Sequence, residues 1–215
     1  MAKAQVDATL LIIKEALQNY SLDEIFLSFN GGKDCTVLLD ILVKYLHSIG
    51  ADHKRILYIY VQPEHPFEEI EEFVTTCEQH YDITMQVYRG KLKSTLEKVC
   101  AAAPQLKACI LGSRRTDPYC EKMQAFQETD HGWPKLMRIS PLLEWNCDNV
   151  WDYLLENKVA YCKLYDRGYT SIGDKTNTIP NPHLRYEDEK TGVVRYKAAY
   201  ELRNGDAFER AGRLT

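Results

Sequence analysis

The chain has 215 residues, 45% of them hydrophobic, and a formal net charge of −4. That apolar content supports one substantial core. The acidic balance argues against a nucleic-acid partner, which calls for a basic face, and no apolar stretch approaches the roughly 20 residues that span a bilayer.

In chain order, Val6, Leu10, Leu11, Ile13 and Leu17 among charged residues mark an amphipathic helix, without the basic start and unbroken apolar run of a signal peptide. Ile25, Phe26 and Leu27 read as a buried strand. Paired glycines, Gly31 and Gly32, follow it, and Val37 to Leu42 carry a helical pattern. Lys54 to Val61 is a strand rich in β-branched and aromatic residues. Phe67 to His80 is a helix behind Pro66, Ile83 to Tyr88 a strand, Leu92 to Ala102 a helix, and Ala108 to Leu111 a strand. Residues 116 to 140 read as one long loop, and Asp148 to Glu156 as a helix. From Tyr161 onward the chain is polar and aromatic and is expected to wrap the core. Strands alternating with helices imply an α/β protein, a parallel twisted sheet with helices on both faces. The α/β core is expected over about residues 20–157 of a single domain, with an appendage over about 158–215.

The seven cysteines are odd in number and include no Cys-x-x-Cys pair. A reduced, cytoplasmic protein is the simplest account. The six histidines fall into no catalytic arrangement.

Ligands of such sheets bind at the carboxyl ends of the strands. That rule gathers the Gly31–Gly32 loop, Gln62-Pro63-Glu64 and Gly112 to Pro118 at one edge, with Phe29 ending the first strand. Glycines let the backbone turn tightly, and amides at the following helix start can converge on an anion. An enzyme handling ATP is therefore expected. The kinase-type phosphate loop needs Gly-x-x-x-x-Gly-Lys-[Ser/Thr], whereas here Asp34 follows Lys33 and Leu27 stands five before Gly32. Arg114 and Arg115 offer planar cationic forks suited to phosphate. Only one of two adjacent side chains is expected to face a ligand. Arg210 and Arg213, three apart, share a face if helical, although spacing alone favours a frayed, solvated terminus.

The loop Asn30-Gly31-Gly32-Lys33-Asp34-Cys35-Thr36 resembles the pyrophosphatase-type loop of the adenine-nucleotide α-hydrolase fold, with Asn30 where most of that superfamily has serine. Together with Gly112-Ser113-Arg114-Arg115-Thr116-Asp117-Pro118, Asp130-His131-Gly132-Trp133-Pro134, the segment from Arg138 to Trp145 and the segment from Tyr161 to Gly173, it resembles the eukaryotic FAD synthases. The resemblance implies transfer of AMP from ATP to FMN, giving FAD and pyrophosphate, with Mg²⁺. It places Asn30, Gly31, Gly32, Asp34 and Thr36 around the ATP phosphates, Asp34 beside the metal, and Asp117 as a second carboxylate. Arg210 and Arg213 close on the phosphates, which displaces the solvated-terminus reading. Asp130, Trp133 and Arg138 hold the flavin, while Phe29, Gln62, Gly112 and Arg114 are further contacts. Small-molecule substrates, no nucleic acid, no membrane and a monomer are expected. A phosphoadenylyl-sulfate reductase-like enzyme and a non-catalytic flavin or nucleotide module are the rival readings.

Overall fold

The computed structural model describes residues 2 to 214. After helix α1 (Ala2–Asn19), strands and helices alternate as β1 (Ile25–Phe29), α2 (Lys33–Ser48), β2 (Leu57–Gln62), α3 (Glu68–Tyr81), β3 (Met85–Arg89), α4 (Leu92–Ala102) and β4 (Ala108–Ile110). Then come β5 (Phe126–Glu128), β6 (Met137–Ile139), α5 (Cys147–Glu156), a hairpin of β7 (Arg185–Glu187) and β8 (Val194–Tyr196), and the short α6 (Gly205–Phe208). The main sheet has the order β3-β2-β1-β4-β6-β5, and every neighbouring pair is parallel except β5 with β6.

Three expectations change. The stretch from 116 to 140 is not one loop, because it contributes β5 and β6 to the main sheet and makes that sheet mixed. Each strand has only three residues, too few for alternation to show. Lys54 and Arg55 belong to a 3-10 turn before β2, and Ile83 precedes β3. The helix near the end stops at Phe208, so Arg210 and Arg213 share no helical face, and Arg213 instead forms a β-bridge with Thr178.

Alternation along β1 divides the core. Ile25, Leu27 and Phe29 face the larger cluster with residues of α1, α2, α3 and α5, and Phe26 faces a smaller one containing Val99 of α4. Helices thus cover both faces. The tail joins the larger cluster through Cys162, Leu164, Tyr165 and Ala199. Inside it, the buried Asp40 of α2 accepts hydrogen bonds from Tyr153 Oη at 2.6 Å and Tyr81 Oη at 3.0 Å. Asp40 therefore ties α2 to α3 and α5, and this fixes the helix whose first turn follows the glycine loop.

The chain runs outward from β1 to β2 and β3, then returns to place β4 on the other side of β1. The carboxyl ends of β1 and β4 therefore form the topological switch point, where open α/β sheets leave a crevice. Gly31 turns the chain there with φ of +72°, and a β-carbon on it would lie 2.8 Å from Ile70 Cγ2 of α3. Gly31→Ala should lose about 1–2 kcal/mol to the left-handed backbone alone, with the Ile70 collision added. Thermal unfolding and nucleotide titration should show both a lower Tm and weaker binding; unchanged values would contradict this account of the loop.

Candidate active site

A cavity of about 470 Å³ opens at the switch point, within the range of small-molecule sites. Its walls come mainly from three segments far apart in sequence, the loop around Asn30 to Cys35, the exit of β4 from Leu111 to Asp117, and the tail at Tyr165, Ser171, Ile172, Glu209, Arg210 and Arg213, with Val61 of β2 and Leu92 of α4 added. A smaller hollow shares Asn30, Val61, Ile172 and Arg213 with it, and a third lies at Gln62, Pro63 and Arg89.

One wall is a buried ion cluster. Lys33 Nζ stands 3.0 Å from Asp34 Oδ2 and 2.8 Å from Glu209 Oε2. Arg114, only 1% exposed, donates to Glu209 Oε1 and lies 3.4 Å from Asp206 Oδ1. Its Nε is 2.8 Å from Asp34 Oδ1 yet out of line for a hydrogen bond, so that contact is ionic and neither atom has a directed partner among the described residues. Burial opposes the charge of all these groups. For Lys33 and Arg114 the facing carboxylates outweigh burial and raise both above their ordinary range. For Asp34 burial is likewise outweighed, here by Lys33 and then Arg114, which hold its carboxyl below the usual carboxylate range.

Asp117 differs. Its Oδ2 accepts the Arg114 amide at 2.9 Å, but burial dominates and its pKa is raised. Arg210 and Arg213 differ again, because both line the cavity and neither makes an ion pair with the described residues. Burial and then the neighbouring Arg210 push Arg213 below its ordinary value. An arriving polyanion would relieve that repulsion.

Of the residues expected at the site, Asn30, Gly32, Asp34, Gly112, Arg114, Asp117, Arg210 and Arg213 line the cavity. Of the two adjacent arginines, Arg114 faces it, and Arg115 turns outward to Glu144. Arg114 is nevertheless sheathed by carboxylates rather than open to a ligand. Phe29 is buried in the core and offers only backbone. Thr36 is buried with its hydroxyl bonded back to Gly32 O at 2.9 Å. Gln62 lines the third hollow instead, donating to Glu71. Asp130, Trp133 and Arg138 are outside the cavity lining: Arg138 pairs with Asp130 at 3.4 Å, and Trp133 is 37% exposed. The amides at the start of α2 are less open than expected, since Gly32 N–H donates to Asn30 Oδ1 and Lys33 N–H to Tyr165 Oη, both at 2.8 Å.

The matching family model, described as a phosphoadenosine phosphosulfate reductase domain, covers residues 24–180. A probable FAD synthase of Schizosaccharomyces pombe is 37% identical over 97% of this chain and 78% of its own length. The chain belongs to the FAD synthase family. A probable FAD synthase of Caenorhabditis briggsae is 41% identical over 94% of this chain, which spans only 38% of that longer protein. Among solved structures, Candida glabrata FMN adenylyltransferase in complex with FMN and the ATP analogue AMPCPP superimposes with a TM-score of 0.91 at 28% identity, over 99% of this chain and 90% of that one. The same enzyme in complex with FAD and inorganic pyrophosphate gives 0.89 at 26% identity, over 99% and 89%.

Sequence reading missed Lys33, Tyr165, Asp206 and Glu209. Lys33 lies inside the glycine loop, which was the available signal. Glu209 and Asp206 become legible only when the tail is seen against Arg114.

Removing the guanidinium strands buried carboxylates, and breaking a buried pair from one side costs about 3–5 kcal/mol. Arg114→Met should therefore lower unfolding free energy by about that amount in urea titration; a loss below about 1 kcal/mol would refute the clasp. Because Asp34 is depressed in the folded state, its stabilising contribution is full above the ordinary carboxylate pKa near 4 and fades as pH falls through the folded value. Arg114→Met should flatten that acid limb of the stability curve.

Proposed function

We propose that the chain is an FMN adenylyltransferase, transferring AMP from ATP to the phosphate of FMN and releasing pyrophosphate. The observation that carries this reading is the pair Arg210 and Arg213, which line the same cavity as the charge-balanced loop at the switch point and make no ion pair among the described residues. A phosphate oxygen of FMN attacks the α-phosphorus of ATP, the new P–O bond forms, and the bond to the β-phosphate oxygen breaks. The attacking oxygen is already anionic near neutral pH, so no strong base is required, and the cavity holds no histidine among its lining residues. Two like charges about 4 Å apart repel by ~4 kcal/mol at an effective dielectric of 20. Alignment plus arginine charge can offset this.

Among the described residues no three carboxylate, imidazole or thiol groups are grouped as a metal cage. Magnesium usually takes one or two carboxylates and several phosphate oxygens. Asp117, which lines the cavity, and Asp34, whose oxygens already face Arg114 and Lys33 and would have to give up one of those contacts, are the carboxylates that would hold it. When bound there, the ion would neutralise charge on the triphosphate.

The reductase reading needs a reactive cysteine. Cys162, the last in the sequence, is buried with its thiol pushed up to about 11 by burial, and it donates to Glu69 O. The kinase reading lacks its loop. For the flavin, the exposed Trp133 lies on a loop whose Gly132 lies near Lys93 of α4, and Leu92 of that helix lines the cavity. We read the protein as a cytoplasmic monomer, consistent with seven free cysteines; no helix among the described residues is long and apolar enough to cross a membrane.

Incubation with FMN, ATP and Mg²⁺ should yield FAD and pyrophosphate; ADP would indicate a kinase, and no turnover a binding module. Arg210→Ala should lower turnover by roughly 10²-fold if its charge acts in the transition state, and an unchanged rate would return it to a solvated tail. Trp133→Ala should weaken FMN binding while sparing ATP, measured by flavin fluorescence quenching. Equal FMN affinity would reject the flavin role.

A further inference from the structure

Tyr165 is 2% exposed, lines the cavity, and accepts the Lys33 amide hydrogen at 2.8 Å. A tyrosine hydroxyl carries one proton of its own. Among the described residues that proton makes no hydrogen bond, the hydroxyl's one bond being the one it accepts from Lys33. The ring is held edge-on against Trp151 at 5.2 Å and Tyr161 at 6.4 Å. The oxygen is thereby fixed beside the glycine loop, 3.7 Å from where a β-carbon on Gly32 would lie. Burial raises the phenol above its ordinary range, so the group stays a neutral donor at physiological pH.

The surroundings give this donor a purpose. Gly32 N–H is taken by Asn30 and Lys33 N–H by Tyr165 itself. An anion entering the cavity therefore meets no open amide at those two positions. We propose that Tyr165 is a phosphate-binding residue of the site, its hydroxyl accepting from the first amide of α2 and donating to a phosphate oxygen of the nucleotide. The hydroxyl relays the helix N-terminus outward by one atom, and accepting from that amide polarises it into a stronger donor. The identity of the ligand rests on the adenylyl-transfer reading.

The test compares inorganic pyrophosphate binding, with Mg²⁺, by calorimetry in the unaltered protein, Tyr165→Phe and Tyr153→Phe. Tyr153 is a matched control, since its hydroxyl donates to Asp40 on the same helix and it does not line the cavity. Tyr165→Phe should bind pyrophosphate about tenfold more weakly or worse, as expected for losing a hydrogen bond to a charged group. Tyr153→Phe should lower Tm and leave pyrophosphate affinity within twofold. Equal pyrophosphate affinity in Tyr165→Phe, whatever its Tm, would overturn the proposal and leave Tyr165 as a strut. FAD formation by the unaltered protein, assayed in parallel, separates the two failures: no FAD removes the adenylyl-transfer reading, while the pyrophosphate comparison still decides the donor.

Discussion

A buried balance of charge holds the site together. Two cations, Lys33 and Arg114, and two carboxylates, Asp34 and Glu209, come from three parts of the chain that only the finished fold brings into contact. Removing any one leaves its partners charged in a medium that solvates them poorly, which is why breaking such a pair from one side is far more damaging than the pair's net worth. The glycine loop, the exit of β4 and the tail are thereby locked to one another. The cavity is the space that remains between them.

That lock sorts the arginines into two kinds. Arg114 spends its fork on Asp34, Glu209 and Asp206, and Asp206 in turn accepts the amide of Cys147 at 2.8 Å, so the cluster reaches the start of α5. Arg210 follows Glu209 directly, yet is exposed where Glu209 is buried, and it lines the cavity without an ion pair among the described residues. The tail is held by its own contacts as well: Thr170 Oγ1 donates to Glu209 O at 2.6 Å, and Asn181 Nδ2 to Phe208 O at 2.8 Å. With the backbone fixed, Glu209 is buried against Lys33 and Arg114 while Arg210 stays open at the cavity. Gly173 gives Arg213 its place, because a β-carbon there would fall on the guanidinium. The free cations of the site are thus held by the buried ones.

The legible parts were those encoded over short stretches. β1, the glycine turn, α2 and α4 follow from local apolar pattern and backbone freedom, and α4 matches the expected span of Leu92 to Ala102. The switch point followed from strand order together with the rule for open sheets. What stayed hidden was encoded over long range. β5 and β6 are too short to show a period and exist because β4 offers an edge to pair with. Phe29 looked like a contact because it ends a strand beside the loop, but alternation along β1 turns it into the core. The choice between Arg114 and Arg115 stayed open in the sequence, because the carboxylates that occupy Arg114 lie more than ninety residues further on, at positions 206 and 209.

The two aspartates at the cavity show how one site keeps similar groups distinct. Asp34 faces two cations and is held as an anion; Asp117 has one amide hydrogen bond, and burial raises it. Environments that push two carboxylates apart assign them different work. Asp34 belongs to the charge balance of the wall and cannot be lost without disturbing Lys33 and Arg114. Asp117 also feels Arg114, but burial, together with the neighbouring charges of Asp34 and Glu209, outweighs it.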